Sequence, residues 1–288
     1  MVYEGVAQGR YSHTEGLGCC TLETAIGAHS EGGATRANAI GSHVEGLGTQ
    51  SGGLADYSHA EGHLSQSIGE FSHSEGRETK ASGKYSHAEG FNTDATALAS
   101  HSEGYSNNVT DGSDYSHAEG YMNTVYAESS HAEGTRNVVT ASAKFAHVEG
   151  VANVSAGIGS HAEGQLTVAS GDRSHAEGEG TEASGTTSHA EGFDTVATKI
   201  GSHSEGFHTK SCDPFLHASG MYNDNTGYAF DLNLYDDGDR LWSLFNIGAG
   251  SSEETRMNAI DVKRVGTVYL NENQSLLKHT YEVNNAHP

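Results

Sequence analysis

The chain reads as an all-β solenoid of 14-residue coils. Three observations predict it: a five-residue word repeated at fixed period, strand-like alternation within that word, and too few apolar residues for a thick core. The word is Ser-His-Ala-Glu-Gly with small variations, and it occurs fourteen times between Ser12 and Gly206. Its histidines are His13, His29, His43, His59, His73, His87, His101, His117, His131, His147, His161, His175, His189 and His203, and a worn fifteenth copy, Leu216-His217-Ala218-Ser219-Gly220, closes the series. The step from one histidine to the next is constant, as from His73 to His87 and from His87 to His101. Only four steps are longer, each by two positions: His13 to His29, His43 to His59, His101 to His117 and His131 to His147. Fixed-period self-similarity is the mark of a solenoid, and this period absorbs small insertions without losing phase.

The period selects the type. Helical repeats need roughly 33 to 47 residues per unit, and the glycine of the word is disfavoured inside a helix. A β-coil fits, with two short strands and two turns in each repeat. In the copy Ser86-His87-Ala88-Glu89-Gly90, alternation puts Ser86, Ala88 and Gly90 on one face and His87 and Glu89 on the other. The first set is always small, with Ala28 and Ala146 replacing serine and Val44, Val148 and Thr14 replacing alanine. This predicts the interior of a thin coil, with the histidine and glutamate rows outside. The second strand is read from stretches such as Thr79-Lys80-Ala81-Ser82-Gly83-Lys84 and Thr93-Asp94-Ala95-Thr96-Ala97-Leu98.

Hydrophobic residues make up only 34% of the chain, so a thin roll lacks a thick private core and association of several chains along the ladder is expected. The balance of 38 acids against 15 bases gives a formal charge of −23, which falls to −4 if all 19 histidines are protonated. Such a surface repels nucleic acid and anionic membranes.

The x-Ser-x-Ala-x-Gly spacing on a 14-residue period resembles the left-handed parallel β-roll of trimeric autotransporter adhesin heads of the YadA type. The Ser-His-Ala-Glu-Gly form of the word resembles repeats in tail-fibre and appendage proteins of phages infecting Gram-positive bacteria. The resemblance covers about residues 11 to 220. It implies a left-handed roll and a homotrimer whose axis is faced by the two outward positions of the word. In the adhesin family those positions are usually apolar; here they are His13 and Glu15, His29 and Glu31, His43 and Glu45, His59 and Glu61, His73 and Glu75, His87 and Glu89, His101 and Glu103, His117 and Glu119, His131 and Glu133, His147 and Glu149, His161 and Glu163, His175 and Glu177, His189 and Glu191, and His203 and Glu205. The alternative is that both rows face water. A solvated row, however, needs no fixed identity, and the opposite strand varies freely in charge through Lys80, Asp94, Glu128, Lys144, Asp172, Glu182 and Lys199.

Coils stacked at about 4.8 Å would give a shaft on the order of 70 Å, with three histidines and three glutamates at each level. Buried carboxylates demand partners, and histidine answers as donor in either charge state. The expected contact is a histidine N–H donating to a glutamate of an adjacent chain or rung. If the pair is charged, assembly raises the histidine pKa, and stability is lost as pH climbs through the raised value. No cofactor is expected; zinc, nickel or iron on the histidine ladder is the minor alternative.

Other patterns carry less. Aromatic residues precede the word at Tyr11, Tyr57, Phe71, Tyr85, Tyr115 and Phe145 and follow it at Phe91, Tyr105, Tyr121, Phe193 and Phe207; stacking at coil corners between adjacent chains is expected in preference to a sugar-binding stripe. The threonine column Thr79, Thr93, Thr167, Thr181, Thr195 and Thr209 is placed at a turn, its hydroxyls bonding local backbone. Cys19, Cys20 and Cys212 have neither disulfide nor zinc spacing. The repeat is not the calcium-binding nonapeptide, and a single threonine column is a poor ice-binding face.

After Gly220 the composition changes, giving a shaft over 1–220 and a small β-rich C-terminal cap over 221–288. Tyr228–Tyr235 and Leu241–Ile247 alternate as a hairpin around Asp236-Asp237-Gly238-Asp239, and a second pair of strands is read at Ala259–Val262 and Thr267–Leu270. Arg256–Val262 followed by Gly266–Tyr269 resembles a short module of phage tail-fibre proteins that precedes a self-cleaving chaperone domain. The reading that follows is a structural and receptor-binding component of a phage tail fibre or similar appendage, located in the virion tail. Its expected partners are two further copies and a host-surface saccharide, without nucleic acid or membrane insertion, and Trp242 and Tyr235 are candidate ligand contacts. A bacterial surface adhesin is the alternative, against which no signal or anchor segment is seen. A polysaccharide depolymerase is a further alternative, but the repeated glutamates single out no catalytic pair, and no enzymatic activity is expected.

Overall fold

A computed structural model describes residues 5–223, 243–263 and 268–270. Among them every regular element is a strand except one 3-10 turn, Glu253–Thr255. The chain is a β-solenoid of about fifteen parallel stacked coils, each with one strand beginning at a ladder histidine and one two-residue strand. Two compact units are described in turn, Met1–Ala152 and Asn153–Pro288.

In the first unit, ten strands from His13–Leu17 to His147–Val151 begin at ladder histidines. They pair in parallel and in register, so that His73 lies on His59 and His87, Glu75 on Glu61 and Glu89, and Gly76 on Gly62 and Gly90. The two-residue strands form the opposite sheet, with Lys80-Ala81 between Gln66-Ser67 and Asp94-Ala95. In the second unit the same pairing joins the strands that start at His161, His175, His189, His203 and His217.

The interior is as thin as the small residues require. Ala60, Ala88, Ala118, Ala162, Ala176 and Ala190 of the word are fully buried, as are Ala81, Ala95, Val109, Val125, Ala169 and Ala183 of the short strands. At several coils the serine that opens the word closes the preceding turn: the Ser86 hydroxyl donates to the Gly83 carbonyl at 2.7 Å, and Ser72, Ser160 and Ser188 repeat the bond to Gly69, Gly157 and Gly185. That local bond offsets burial of the hydroxyl.

The glycine differs from the expected interior position. Gly90 is not fully buried; its φ is +104°, and a Cβ there would stand 2.2 Å from the Gly104 carbonyl oxygen. Backbone conformation and the close approach of the next coil therefore fix this residue. Most coils also bend at non-glycine residues in the left-handed region, among them Tyr57, Phe71, Tyr85 and Tyr115 before the word and Leu64, Glu78, Asn92 and Ser106 after it, while the coil of His43 uses Gly41 and Gly48.

Asparagine takes over the threonine column at several coils. Thr93 and Thr209 donate to the carbonyls of Glu89 and Glu205 at 3.1 and 2.9 Å as expected, whereas Thr79 pairs with the Ser74 hydroxyl and the buried hydroxyls of Thr167, Thr181 and Thr195 have no partner among the described residues. In the first unit Asn107, Asn123 and Asn137 occupy the same buried place. The Asn123 amide donates to Asn107 Oδ1 at 2.7 Å and the Asn137 amide to Asn123 Oδ1 at 2.8 Å. Their Nδ2 groups donate to the carbonyls of Gly120, Gly134 and Gly150 at 2.8, 3.0 and 2.9 Å.

In the second unit Ser243–Ala249 adds in parallel to the last coil strand, His217–Met221, and pairs antiparallel with Asn258–Lys263. The expected pair of strands is present, Val262 on Val268 and Ile260 on Leu270. The first hairpin arm expected from the sequence, Tyr228–Tyr235, lies outside the described residues. Arg256 ties this region to the roll, donating through Nη1 to the carbonyls of His208 and Asn223 at 2.7 and 3.3 Å and pairing with Glu253.

Candidate functional site

The in-register strands turn one histidine and one glutamate per coil into two adjacent rows outside the interior. In the first unit the imidazoles from His29 to His147 stack with centroids 4.6 to 5.0 Å apart and interplanar angles of 0 to 18°. His13, at the end, is edge-on to His29 and 63% exposed in its side chain. In the second unit the stack runs from His161 to His203 at 4.7 to 4.8 Å and tilts by 38° at His217.

At most rungs Nε2 lies within 4.0 Å of a carboxylate, His59 and His87 being exceptions. His73 Nε2 lies 3.9 Å from Glu61 and 3.8 Å from Glu75, and His131 Nε2 lies 3.8 Å from Glu119 and 4.0 Å from Glu133. In the second unit His175 is 3.9 Å from both Glu163 and Glu177, and the contact tightens to a 3.2 Å hydrogen bond between His203 and Glu191. The expected donation to a glutamate of an adjacent rung is thus found within the chain at His203; elsewhere the spacing is longer. For His59, His73, His87, His101, His117, His131, His175 and His189 the Nε2 atom is sealed from solvent without a hydrogen-bond partner among the described residues. The rings themselves remain half-exposed.

Crowding of like groups sets the electrostatics. Burial and then neighbouring imidazoles lower the pKa of His59 and His87, and the same causes act on His101, His117, His131 and His189. The carboxyls of Glu61, Glu119 and Glu177 are pushed up to about 7 by hydrogen bonding to Glu75, Glu133 and Glu191. Those partners move down, so neighbours along the row hold one shared proton. Within one chain the histidines therefore shift opposite to the rise expected for a charged pair made on assembly.

The ligand atoms of His87, Glu89 and His101 fall within 4.8 Å of one another, as do those of His175, Glu177 and His189. Two imidazoles on one zinc ion need nitrogens within about 4 Å and lone pairs that converge. Rings stacked 4.8 Å apart with 6° between their planes direct lone pairs side by side. These trios would close on an ion only after the rings turn out of the stack.

The aromatic residues stack between coils of the same chain. Tyr57, Phe71 and Tyr85 lie 5.5 and 5.2 Å apart at 8 and 6°, and Phe91, Tyr105 and Tyr121 lie 5.1 and 5.0 Å apart. In the second unit Phe193 stacks on Phe207 at 5.1 Å. Each column covers ring faces and presents edges, a poor platform for a sugar that stacks on a face. Trp242 and Tyr235 lie outside the described residues. Among the described residues no helix is long and apolar enough to cross a membrane.

Fold and face together define a parallel β-solenoid repeat protein with a histidine and glutamate surface along its coils. In comparison with known proteins, the chain matches no family model and no curated protein.

Proposed function

We propose that the chain is a structural and receptor-binding component of a phage tail fibre or a similar appendage, in which three copies form a rigid left-handed shaft bearing a C-terminal cap. The observation that carries this reading is the uniform stack of coils, which repeats one geometry with His on His and Glu on Glu in each unit. Repeated backbone pairing of this kind suits a load-bearing element, and its interior of small residues leaves little apolar area for a chain to stand alone. The resemblance of the word to trimeric adhesin heads supports three copies. Nothing in the ladder distinguishes one glutamate pair as catalytic, which favours binding over hydrolysis.

Light scattering on the full chain tests the assembly, with a mass three times 30.2 kDa expected. Cosedimentation with purified Gram-positive cell walls tests attachment. A monomer would overturn the trimeric shaft, and failure to bind walls of any Gram-positive strain tested would overturn the receptor-binding role.

A further inference from the structure

The two ring nitrogens of the ladder histidines are unlike. Nε2 of His87 is sealed from solvent, and burial and then His101 and His73 hold the ring below the usual histidine pKa against the smaller opposing pull of Glu75 and Glu89. Nδ1 of His87 makes no hydrogen bond among the described residues, in a ring that stays half-exposed, and is the nitrogen left for a partner. The titratable groups that face this ring are His73, His101, Glu75 and Glu89. The surface is self-complementary, because the rungs of His73, His87 and His101 each carry one such nitrogen and one carboxyl, Glu75, Glu89 and Glu103.

We infer that this face joins copies of the chain through a ring of contacts at each rung, in which Nδ1 of a histidine meets the glutamate carboxyl of a neighbouring copy and each contact holds one proton taken up from solvent. The inference rests on the trimeric reading above. A neutral imidazole carries one N–H and one lone pair. Where the chain's own carboxyls beside Nε2 and a neighbour's at Nδ1 are ionised, one nitrogen turns a lone pair on a carboxylate, whichever tautomer is present. One added proton removes the conflict, either as imidazolium between two carboxylates or as imidazole accepting from a carboxylic acid. In both forms the His–Glu pair is electrically neutral. Assembly therefore consumes protons, and it discharges a chain whose formal charge is −23.

The test uses the full chain. Light scattering across a dilution series from pH 5.5 to 9 gives the association constant, which is expected to fall about tenfold per pH unit for each proton bound. Dilution calorimetry in phosphate and in Tris counts the same protons from the difference in heat. The triple variant Glu61→Gln, Glu75→Gln, Glu89→Gln supplies an amide N–H to Nδ1 without a proton, so its trimer should persist to higher pH with fewer protons taken up; circular dichroism checks its fold, and the wild-type calorimetry decides the matter if the variant unfolds. A trimer with no buffer-dependent heat and a pH-independent mass overturns this inference and leaves the trimeric shaft standing. A trimer lost to a chelator assigns the face to a metal and overturns it likewise. A monomer at every pH overturns both.

Discussion

His101 and His117 stack with their centroids 4.6 Å apart and their planes parallel to 0°, although the interval between them is one of the four long ones. The surplus is confined to the turn between the short strand Asn108-Val109 and His117, where Asp111 and Gly112 are exposed while Ser113 is buried. The other three long intervals place their insertions at the same turn, exposing Glu23-Thr24, Gly53-Leu54 and Ala141-Ser142. A Ser-Gly dipeptide inserted between Ser82 and Gly83 should leave the circular dichroism spectrum and melting temperature near wild type. The same dipeptide after Ala88 would break the register of the His87–Phe91 strand and should abolish cooperative melting.

Two glycines separate backbone geometry from crowding. Gly90→Ala meets both a φ of +104° and the Gly104 carbonyl at 2.2 Å, whereas Gly112→Ala has a φ of +83° with nothing within 4 Å. A strained φ alone costs on the order of 1–3 kcal/mol, so urea denaturation should show Gly112→Ala within that range and Gly90→Ala beyond it.

Ala88 is fully buried beside Ala81 and Ala95. Ala88→Leu should destabilise by about 1–3 kcal/mol or more through overpacking, while Glu23→Gln on an exposed turn should stay within about 0.5 kcal/mol. Equal effects in a denaturant melt would contradict the thin interior.

Asn123→Ala removes the amide that serves Gly134 and the carbonyl oxygen that serves Asn137. Leaving such buried groups unpaired costs about 1–3 kcal/mol each. Asn123→Thr restores one hydroxyl of the kind found at Thr93 and should recover part of the loss in the same melt.

In the separated chain, proton NMR should find His87, His101 and His117 titrating below 6.5, because burial and then adjacent imidazoles disfavour the charged ring. A lowered folded-state pKa means the unfolded chain binds more protons, so this contribution is complete above 6.5 and lost as pH falls through the lowered value. Glu61, Glu119 and Glu177, raised from 4.5 to about 7, act oppositely. Their contribution is complete below about 4.5 and lost as pH rises through about 7. Histidine midpoints at or above 6.5 in the separated chain would refute the crowding effect.

The period and the small residues make the coil legible, because the volumes of Ser86 and Ala88 leave one side for the interior and expel His87 and Glu89 to the other. The reason for Gly90 is hidden, since alternation assigns a face but not a φ. The interior column is legible only where it is threonine. Asn107, Asn123 and Asn137 share it by hydrogen-bonding role rather than hydropathy, although they keep step with His101, His117 and His131 along the chain, and that shared spacing carries the signal. Sequence patterning points to aromatic stacks between chains, yet residues one coil apart in sequence already stand at stacking distance within one chain. The position of Nε2 against carboxylates of the same chain requires coordinates.

Ser243–Ala249 extends the last coil in parallel, and Asn258–Lys263 then runs back against it, with register shifts after Ser243 and Ile247. A row of identical parallel strands is a template on which any similar strand can grow. Reversing direction and breaking register ends the parallel series there, and the next strand, Val268–Leu270, also pairs antiparallel. A further coil of the same repeat therefore meets no parallel strand of matching register on that side, which disfavours end-to-end growth of the roll through this edge.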